Sequence, residues 1–367
     1  MYFKNSALFI LVILLMNYTL FAQTDRRKKK EVQEAFDVTA AGLYFQIADT
    51  IQMEKQPSNA LWNSFFNTPI NQMLISGQRL DSGSFKKEMF RVYSLSGQDA
   101  GAMTEAELYH LEYKKMLPEL KAHLAKLQSM GIAQKVKKYL YPFIPASYRN
   151  GRFLPKQYYI FYGSEDATGM NGLVINDLLL SYKLDSYVPG TLSAHEAYHA
   201  INNKEFNDKI RKSIDWGDTR SQVFMFINLL AEEGVADLID KKLIFSSRSP
   251  AKASWNDINE KYEDNSKALI ERTDSLFRRL NKDSVLLVSQ KDFFSVYSKF
   301  GGHWPGRLMG EVILNNGMIK DLFANFKDPF HFILVYNQAA KKDRSKPPYF
   351  SDEALEYLKK VKKYCLK

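Results

Sequence analysis

Apolar residues recur at three- and four-residue steps over much of this 367-residue chain, which is the spacing of one face of an α-helix. The spacing predicts helices over residues 38–53, 62–75 and 104–130. Pro69 should interrupt the second helix and Pro118 should kink or divide the third, because proline lacks the amide hydrogen that an inner turn needs. The first part of the chain is therefore predicted to be mostly helical.

Two shorter runs have a different pattern. Residues 157–162 are aromatic and β-branched and residues 172–180 are largely apolar, so both are predicted strands, with a polar loop over 163–169 between them. Helical spacing returns over 268–280 and after Ser351. Together the runs predict an α+β fold that is predominantly helical.

The most informative chemical pattern is His195-Glu196-Ala197-Tyr198-His199. On a helix, residues four apart share a face, so both imidazoles can bind one metal ion. Glu196 lies beside that face, where it can hold a metal-bound water molecule and accept its proton. Zinc lowers the pKa of such a water from about 15.7 to about 7, so the motif predicts a hydrolase. The alternative is a helix whose histidines form hydrogen bonds within a polar core and bind no metal.

A third ligand must come from elsewhere, because catalytic zinc usually has three protein ligands and one open position. The residues after the second histidine include neither a glycine nor a third histidine, which excludes the zincins with H-x-x-G-x-x-H. The apolar segment 224–240 carries Glu232 and Glu233. We predict Glu233, because Gly234 would let two helices approach closely and Asp237 lies one turn further on the same face, able to orient a ligand histidine. An ordinary solvent-facing acidic pair is the alternative.

With the histidine motif, the segment Glu233-Gly234-Val235-Ala236-Asp237 resembles the gluzincin metallopeptidases, the group that includes thermolysin and the zinc aminopeptidases. Its Glu-Gly pair is similar to part of the aminopeptidase motif N-E-G-F-A, and its Glu-x-x-x-Asp spacing is similar to that of thermolysin. The resemblance covers roughly residues 155–240, and the chain looks most like uncharacterised bacterial proteins described as zinc-dependent peptidases. It departs from thermolysin in a longer interval before the glutamate, and it lacks the aminopeptidase motif G-x-M-E-N.

The resemblance implies one Zn²⁺ per chain, bound by His195, His199 and Glu233. Asp237 would support His195, and Glu196 would act as general base and later as proton donor. The resemblance also implies a zincin-like core, with a helical lobe below the metal and a small mixed sheet above the metal-binding helix. By that analogy the second predicted strand could pair with an extended peptide, or it could be a core strand without a ligand role.

These elements divide the chain into four predicted segments. They are a signal peptide over 1–22, a helical N-terminal lobe over 23–150, a zincin-like catalytic core over 151–245 and a helical C-terminal subdomain over 246–367.

The oxyanion formed during amide hydrolysis usually needs a donor besides the metal. The glycine-rich stretch 297–307 could bring Tyr297, His303 or Arg307 to the site. We predict His303 first and Tyr297 second as catalytic residues. The alternative is a glycine turn with a surface histidine.

The N-terminus has the pattern of a secretory signal peptide. Lys4 precedes an apolar run over 7–16, and the small residue Ala22 follows. The run is too short for a membrane helix, although the basic cluster at 26–30 would favour an anchor with a cytoplasmic downstream end. We predict export to the periplasm or the medium, with no stable membrane span.

The net charge and the cysteine content limit which classes of binding partner the sequence predicts. The net charge is +10, but the basic residues are scattered and the run Lys135–Lys138 is about one helical turn, too short for a nucleic-acid groove. Cys365 is the single cysteine and cannot form an internal disulfide. The predicted partner is thus a peptide or protein substrate, with no nucleic acid.

The sequence as a whole predicts an exported zinc metallopeptidase. Two alternatives remain open: a non-catalytic metal- or partner-binding protein with a zincin fold, and a metal-dependent hydrolase of a non-peptide substrate. Substrate specificity and oligomeric state are not predicted.

Overall fold

The computed structural model describes residues 36–94, 102–149, 154–164, 166–170, 172–210, 215, 217–246, 261–283 and 302–365. All structural statements below concern these residues. The predicted signal peptide over 1–22 and the candidate Tyr297 lie outside them.

The N-terminal part is helical, as predicted. After the short strand β1 (Phe36–Asp37) come α1 (Thr39–Gln52), α2 (Asn59–Phe66), α3 (Pro69–Ser76), α4 (Ser82–Tyr93), α5 (Glu105–Lys115), α6 (Leu117–Ser129), α7 (Ile132–Leu140) and two 3-10 turns (Tyr141–Phe143 and Ala146–Tyr148). The break at Pro69 is confirmed, because Thr68 caps α3 and Pro69 takes its first position. The division near Pro118 is also confirmed, with Pro118 in the first turn of α6.

A four-stranded mixed sheet follows the helical part. The strands β2 (Lys156–Ile160), β3 (Ala167–Met170) and β4 (Leu173–Asp177) join β1 in the order β1-β2-β4-β3. β2 pairs in parallel with β1 and β4, whereas β3 pairs antiparallel to β4. The predicted fold class, predominantly helical α+β with a small mixed sheet, is confirmed.

Two sequence-based predictions for this region are wrong in part. The run 172–180 is a strand only as far as Asp177, whose side chain then caps α8 (Leu178–Asp185) by accepting the backbone N–H groups of Leu179 and Leu180. An apolar run alone cannot distinguish a buried strand from a buried helix. The predicted polar loop over 163–169 ends in β3, because small and polar residues can still pair at a sheet edge.

The prediction that the second strand could pair with a peptide is also wrong. That strand, β4, lies between β2 and β3 and is hydrogen-bonded on both sides. Among the described strands, β3 is the edge strand beside the helix that carries His195 and His199.

The remaining elements form a helical bundle that carries the candidate ligands. They are α9 (Thr191–Ile210), α10 (Thr219–Ser246), α11 (Tyr262–Lys282), α12 (His303–Asn315), a 3-10 segment (Ile319–Asn325), α13 (Pro329–Lys342) and α14 (Asp352–Cys365). The buried Asp185 fixes the start of α9, since it accepts hydrogen bonds from the Leu192 N–H and the Thr191 hydroxyl, both at 3.0 Å. No helix of the described residues is long and apolar enough to cross a membrane.

Glycines allow direct backbone contact between α10 and α12. A Cβ on Gly310 would lie 2.1 Å from the Gly234 carbonyl oxygen, and a Cβ on Gly306 would lie 2.6 Å from the Leu230 carbonyl oxygen. Both distances are shorter than real Cβ contacts, so any side chain there would push the two helices apart. Gly234 permits close helix packing, but the predicted partner is wrong: the backbone that it contacts belongs to α12 and not to the helix with the two histidines.

The sheet rests on α9 through a similar contact. A Cβ on Gly169 of β3 would lie 1.8 Å from the carbonyl oxygen of Glu196. The edge strand therefore runs directly over the turn of α9 that carries the His-Glu-x-x-His motif.

One large cluster of buried apolar side chains extends through the described part of the chain. It includes Tyr44, Phe224 and Tyr336, which belong to three different predicted segments. The cluster joins these segments into a common core, and the proposed boundaries at residues 150 and 245 stay predictions.

The α10–α12 contact leads to a stability prediction. Gly310→Ala should lower the free energy of unfolding by about 1–3 kcal/mol, because the added methyl group overpacks the contact. The matched control is Gly42→Ala in α1, where an added Cβ meets nothing within 4 Å and should stabilise the fold by about 0.4–1 kcal/mol. Denaturant unfolding measures both, and a Gly310→Ala protein as stable as the parent would contradict the packing argument.

Candidate metal centre

Two helices bring three donor atoms together. His195 and His199 lie one turn apart on α9, with their Nε2 atoms 3.1 Å apart. Glu233 on α10 places its Oε2 atom 3.5 Å from each of these nitrogens. The three predicted ligands therefore form a compact triangle whose donor atoms face one another.

The dimensions of this triangle suit a zinc ion. Tetrahedral zinc with ligand distances of about 2.0–2.1 Å requires neighbouring donor atoms roughly 3.3–3.4 Å apart, which lies between the observed 3.1 and 3.5 Å. The Oε2 atom of Glu233 is buried and has no hydrogen-bond partner among the described residues. A desolvated carboxylate oxygen without a hydrogen bond is costly unless a cation lies nearby. The donor set and its spacing thus fit Zn²⁺.

The electrostatics of the triangle also favour a cation. Burial raises the pKa of Glu233, but the His199 and His195 imidazoles lower it further, to well below its usual range. Burial lowers the pKa of His199, but the Glu233 carboxylate raises it more, to about 9. The carboxylate therefore stabilises positive charge at this point, and a bound metal must displace protons from the imidazoles.

Glu196 lies beside the triangle and not within it. Its Oε1 atom is 4.0 Å from the Nε2 of His195, and its side chain is about 10% exposed. Burial raises the pKa of Glu196, while the two neighbouring imidazoles lower it by less, so the net shift is upward. A carboxylate with raised proton affinity next to the metal position suits a general base.

Asp240 supports His195 more closely than the predicted Asp237 does. The Nδ1 atom of His195 is 3.2 Å from Asp240 Oδ1 but 3.8 Å from Asp237 Oδ1. A hydrogen bond to Nδ1 fixes the ring orientation and leaves Nε2 free for the metal. Lys241 lies against both acids, with its Nζ atom 2.9 Å from Asp240 and 3.4 Å from Asp237. The role predicted for Asp237 at His195 is thus corrected to Asp240.

Asp237 instead contacts the candidate His303. Both carboxylate oxygens of Asp237 lie 3.1 Å from the Nδ1 atom of His303, which is also 3.1 Å from Glu233 Oε2. Burial lowers the pKa of His303, but the Asp237 and Glu233 carboxylates raise it further, so the net shift is upward. With Nδ1 engaged by acids and about 40% of the side chain exposed, Nε2 is the nitrogen available to a substrate.

The other acid of the pair, Glu232, lies behind the second histidine. Its Oε2 atom is 3.9 Å from the Nδ1 of His199, and its Oε1 accepts a hydrogen bond of 2.7 Å from Asn228. Neither acid faces solvent freely, since Glu232 is 7% exposed and the Glu233 side chain 14% exposed. The two adjacent carboxylates therefore approach different imidazoles.

Sequence reasoning missed Asp240 as a functional residue. Its signal was present, because Glu233, Asp237 and Asp240 are spaced by four and three residues and so share one face of α10. Only the crossing of α9 over α10 decides which of the two aspartates reaches the imidazole.

A cleft of about 680 Å³ opens over the metal position, within the range of ligand pockets in proteins. Residues Ala167 to Gly169 of β3 form one side of the cleft. The cleft is also lined by a group of apolar residues and by aromatic and basic residues; they are Leu180, Leu184, Leu192, Phe245, Tyr262, Trp304 and Arg307. The cleft is therefore lined both by an edge strand and by the candidate metal ligands.

Comparison with known proteins gives one finding. Residues 62–345 match the model of a family described as "Putative zinc dependent peptidase (DUF5700)". This range covers most of the chain and includes every described residue of the site. No curated protein and no solved structure matches the chain.

The site generates a metal-binding prediction that separates the two aspartates. Asp240→Asn should weaken zinc affinity about 10–100-fold, because His195 would lose the carboxylate that orients it. Asp237→Asn, the same change one turn earlier, should weaken zinc affinity much less. Competition with a chromogenic chelator measures both affinities, and thermal unfolding of the metal-free proteins controls for misfolding. An equal loss in both variants would restore Asp237 as the partner of His195.

Proposed function

Since the chain belongs to the family described as "Putative zinc dependent peptidase", we propose that it is a zinc metallopeptidase of the gluzincin type. His195, His199 and Glu233 are the metal ligands of this proposal. The observation that carries it is the triangle of donor atoms, with sides of 3.1, 3.5 and 3.5 Å, in which the carboxylate oxygen is buried and has no hydrogen-bond partner among the described residues. Bound zinc would polarise the scissile carbonyl and make hydroxide available near neutral pH.

Glu196 is the general base and the later proton donor in this proposal. Its carboxylate accepts a proton from the attacking water and later delivers it to the leaving amine. Two features support the role: the carboxylate stands 4.0 Å from His195 Nε2, and its pKa is raised because it is buried. The close contact of β3 with the Glu196 backbone, which only Gly169 permits, holds this residue under the substrate.

His303 stabilises the oxyanion. The Asp237 and Glu233 carboxylates at its Nδ1 favour the protonated imidazole, so that Nε2 carries a hydrogen toward the cleft. A positively charged donor fixed by a buried acid stabilises developing negative charge at little reorganisation cost.

An extended peptide is the substrate that the cleft suits best. The outer edge of β3 carries no other strand among the described residues, so its backbone groups are available to pair with a peptide. The apolar surface formed by Leu180, Leu184 and Leu192 in the cleft would accept a hydrophobic side chain of the substrate.

We also propose that the protein acts outside the cytoplasm. The support is the signal-peptide pattern of residues 1–22. No partner other than a peptide or protein substrate is part of this proposal.

The decisive experiment is hydrolysis of a broad library of quenched fluorescent peptides. The protein should cleave peptides, a chelator should abolish cleavage, and zinc should restore it. Glu196→Gln should lower kcat about 10²–10⁴-fold while zinc content stays at one ion per chain. Glu119→Gln, which removes an exposed carboxylate of α6, is the control and should keep parental activity. A zinc-loaded parent that cleaves no peptide, or an active Glu196→Gln protein, would overturn the proposal.

A second prediction concerns the oxyanion donor. His303→Gln should lower kcat/KM about 10²–10³-fold and change zinc affinity little, because His303 is not one of the three ligands. Steady-state kinetics together with the zinc competition assay separate the two effects. Parental kinetics would remove His303 from the mechanism, and a parallel loss of zinc would make it a ligand.

A further inference from the structure

A second cavity, of about 510 Å³, adjoins the cleft. Asp166, the residue before β3, lines both cavities. The wall of the second cavity combines polar and charged side chains with apolar and aromatic ones, among them Leu74, Leu80, Phe85 and Phe161. A substrate that lies along β3 can therefore place a side chain in this space.

The lining of this cavity is acidic overall. Its described lining residues include three carboxylates, Asp81, Glu88 and Asp166, and one cation, Arg79. Arg79 is exposed and hydrogen-bonds to the hydroxyl of Tyr162. The excess of two negative charges favours a cationic occupant.

Glu88 is the acid that reaches furthest into the protein, with 23% of its side chain exposed. Its Oε2 atom faces the Nε2 of His110 at 3.6 Å, which is too long for a hydrogen bond. His110 is fully buried, is held by Tyr44 at its Nδ1 (2.8 Å), and stacks on Phe161 with ring centroids 4.2 Å apart. Its Nε2 has no hydrogen-bond partner among the described residues. The aromatic wall thus leaves Glu88 partly desolvated beside a buried imidazole nitrogen that has no hydrogen bond among the described residues.

We propose that this cavity is a specificity pocket for a lysine or arginine side chain of the substrate, an inference that rests on the proposed peptidase function. The aliphatic stem would pack on Leu80, Phe85 and Phe161, and the charged head would pair with Glu88. Long basic side chains bury their stems in this way while their charges meet polar groups, and aromatic faces add a favourable interaction with the cation.

The position of the pocket sets where the basic residue must be. Asp166 precedes Gly169 by three residues, and Gly169 packs against Glu196. A strand rises about 3.3 Å per residue, so a peptide paired with β3 would span this interval with about three residues. The basic residue should therefore lie about three positions from the scissile bond, on one side only.

The test uses quenched fluorescent peptides of one neutral sequence in which a single lysine is moved position by position. Norleucine at the same positions is the uncharged reference. Lysine should raise kcat/KM about tenfold at one position, as expected for a charge-assisted hydrogen bond of about 1.5 kcal/mol or more. Glu88→Gln should abolish this preference, so that the lysine peptide is cleaved no faster than the norleucine peptide with the same substituted position. Glu119→Gln should preserve the preference.

A second variant controls for an effect of the Glu88→Gln substitution on folding. Ser84 lies one helical turn before Glu88 on α4, so Ser84→Lys should pair with Glu88 and occupy the pocket. It should also abolish the lysine preference. Cleavage without any positional preference for lysine would overturn the pocket and leave the peptidase proposal intact.

If no peptide is cleaved, the peptidase proposal fails. A binding assay then tests the pocket separately. Fluorescence anisotropy of labelled lysine and norleucine peptides should then show tighter binding of the lysine peptide, reduced by Glu88→Gln. Equal affinities for the two peptides would overturn the pocket as well.

Discussion

The structure depends on one partly buried carboxylate placed among imidazoles. Burial disfavours the charge of Glu233, yet three histidines lie close enough to favour it, and their effect lowers its pKa well below the usual range. The arrangement requires three helices to meet within a few ångströms. Glycines on α10 and α12 make that meeting possible, because backbone packs directly on backbone.

A layer of acids behind the imidazoles sets how the ring nitrogens are used. Asp240 faces Nδ1 of His195, Asp237 faces Nδ1 of His303, and Glu232 approaches Nδ1 of His199. Each contact leaves Nε2 of its ring directed toward the cleft or the metal position. Carboxylates that fix the rings from outside are a recurring feature of metal sites, because they set the tautomer and the orientation of the ligand.

Much of this could be predicted from the sequence. The spacing of His195 and His199 required a shared helix face, and the acids within an otherwise apolar helix pointed to Glu233. Local patterns could not show which strand lies at the sheet edge, because β3 has only four residues and its pairing depends on tertiary contacts. They also could not separate Asp237 from Asp240, since both share one face of α10 and only the helix crossing distinguishes them.

The backbone contact between α10 and α12 bears on how the protein responds to heat. Where side chains fill the interface between two helices, they can change rotamer as the helices shift. At a glycine contact, backbone packs directly on backbone and no side chain is present to adjust. Glu233 and His303 sit on opposite sides of that contact, on two helices whose buried apolar residues belong to one core cluster. Warming should therefore leave the alignment of these side chains intact until the whole core melts cooperatively, so that loss of the candidate site and global unfolding share a single midpoint.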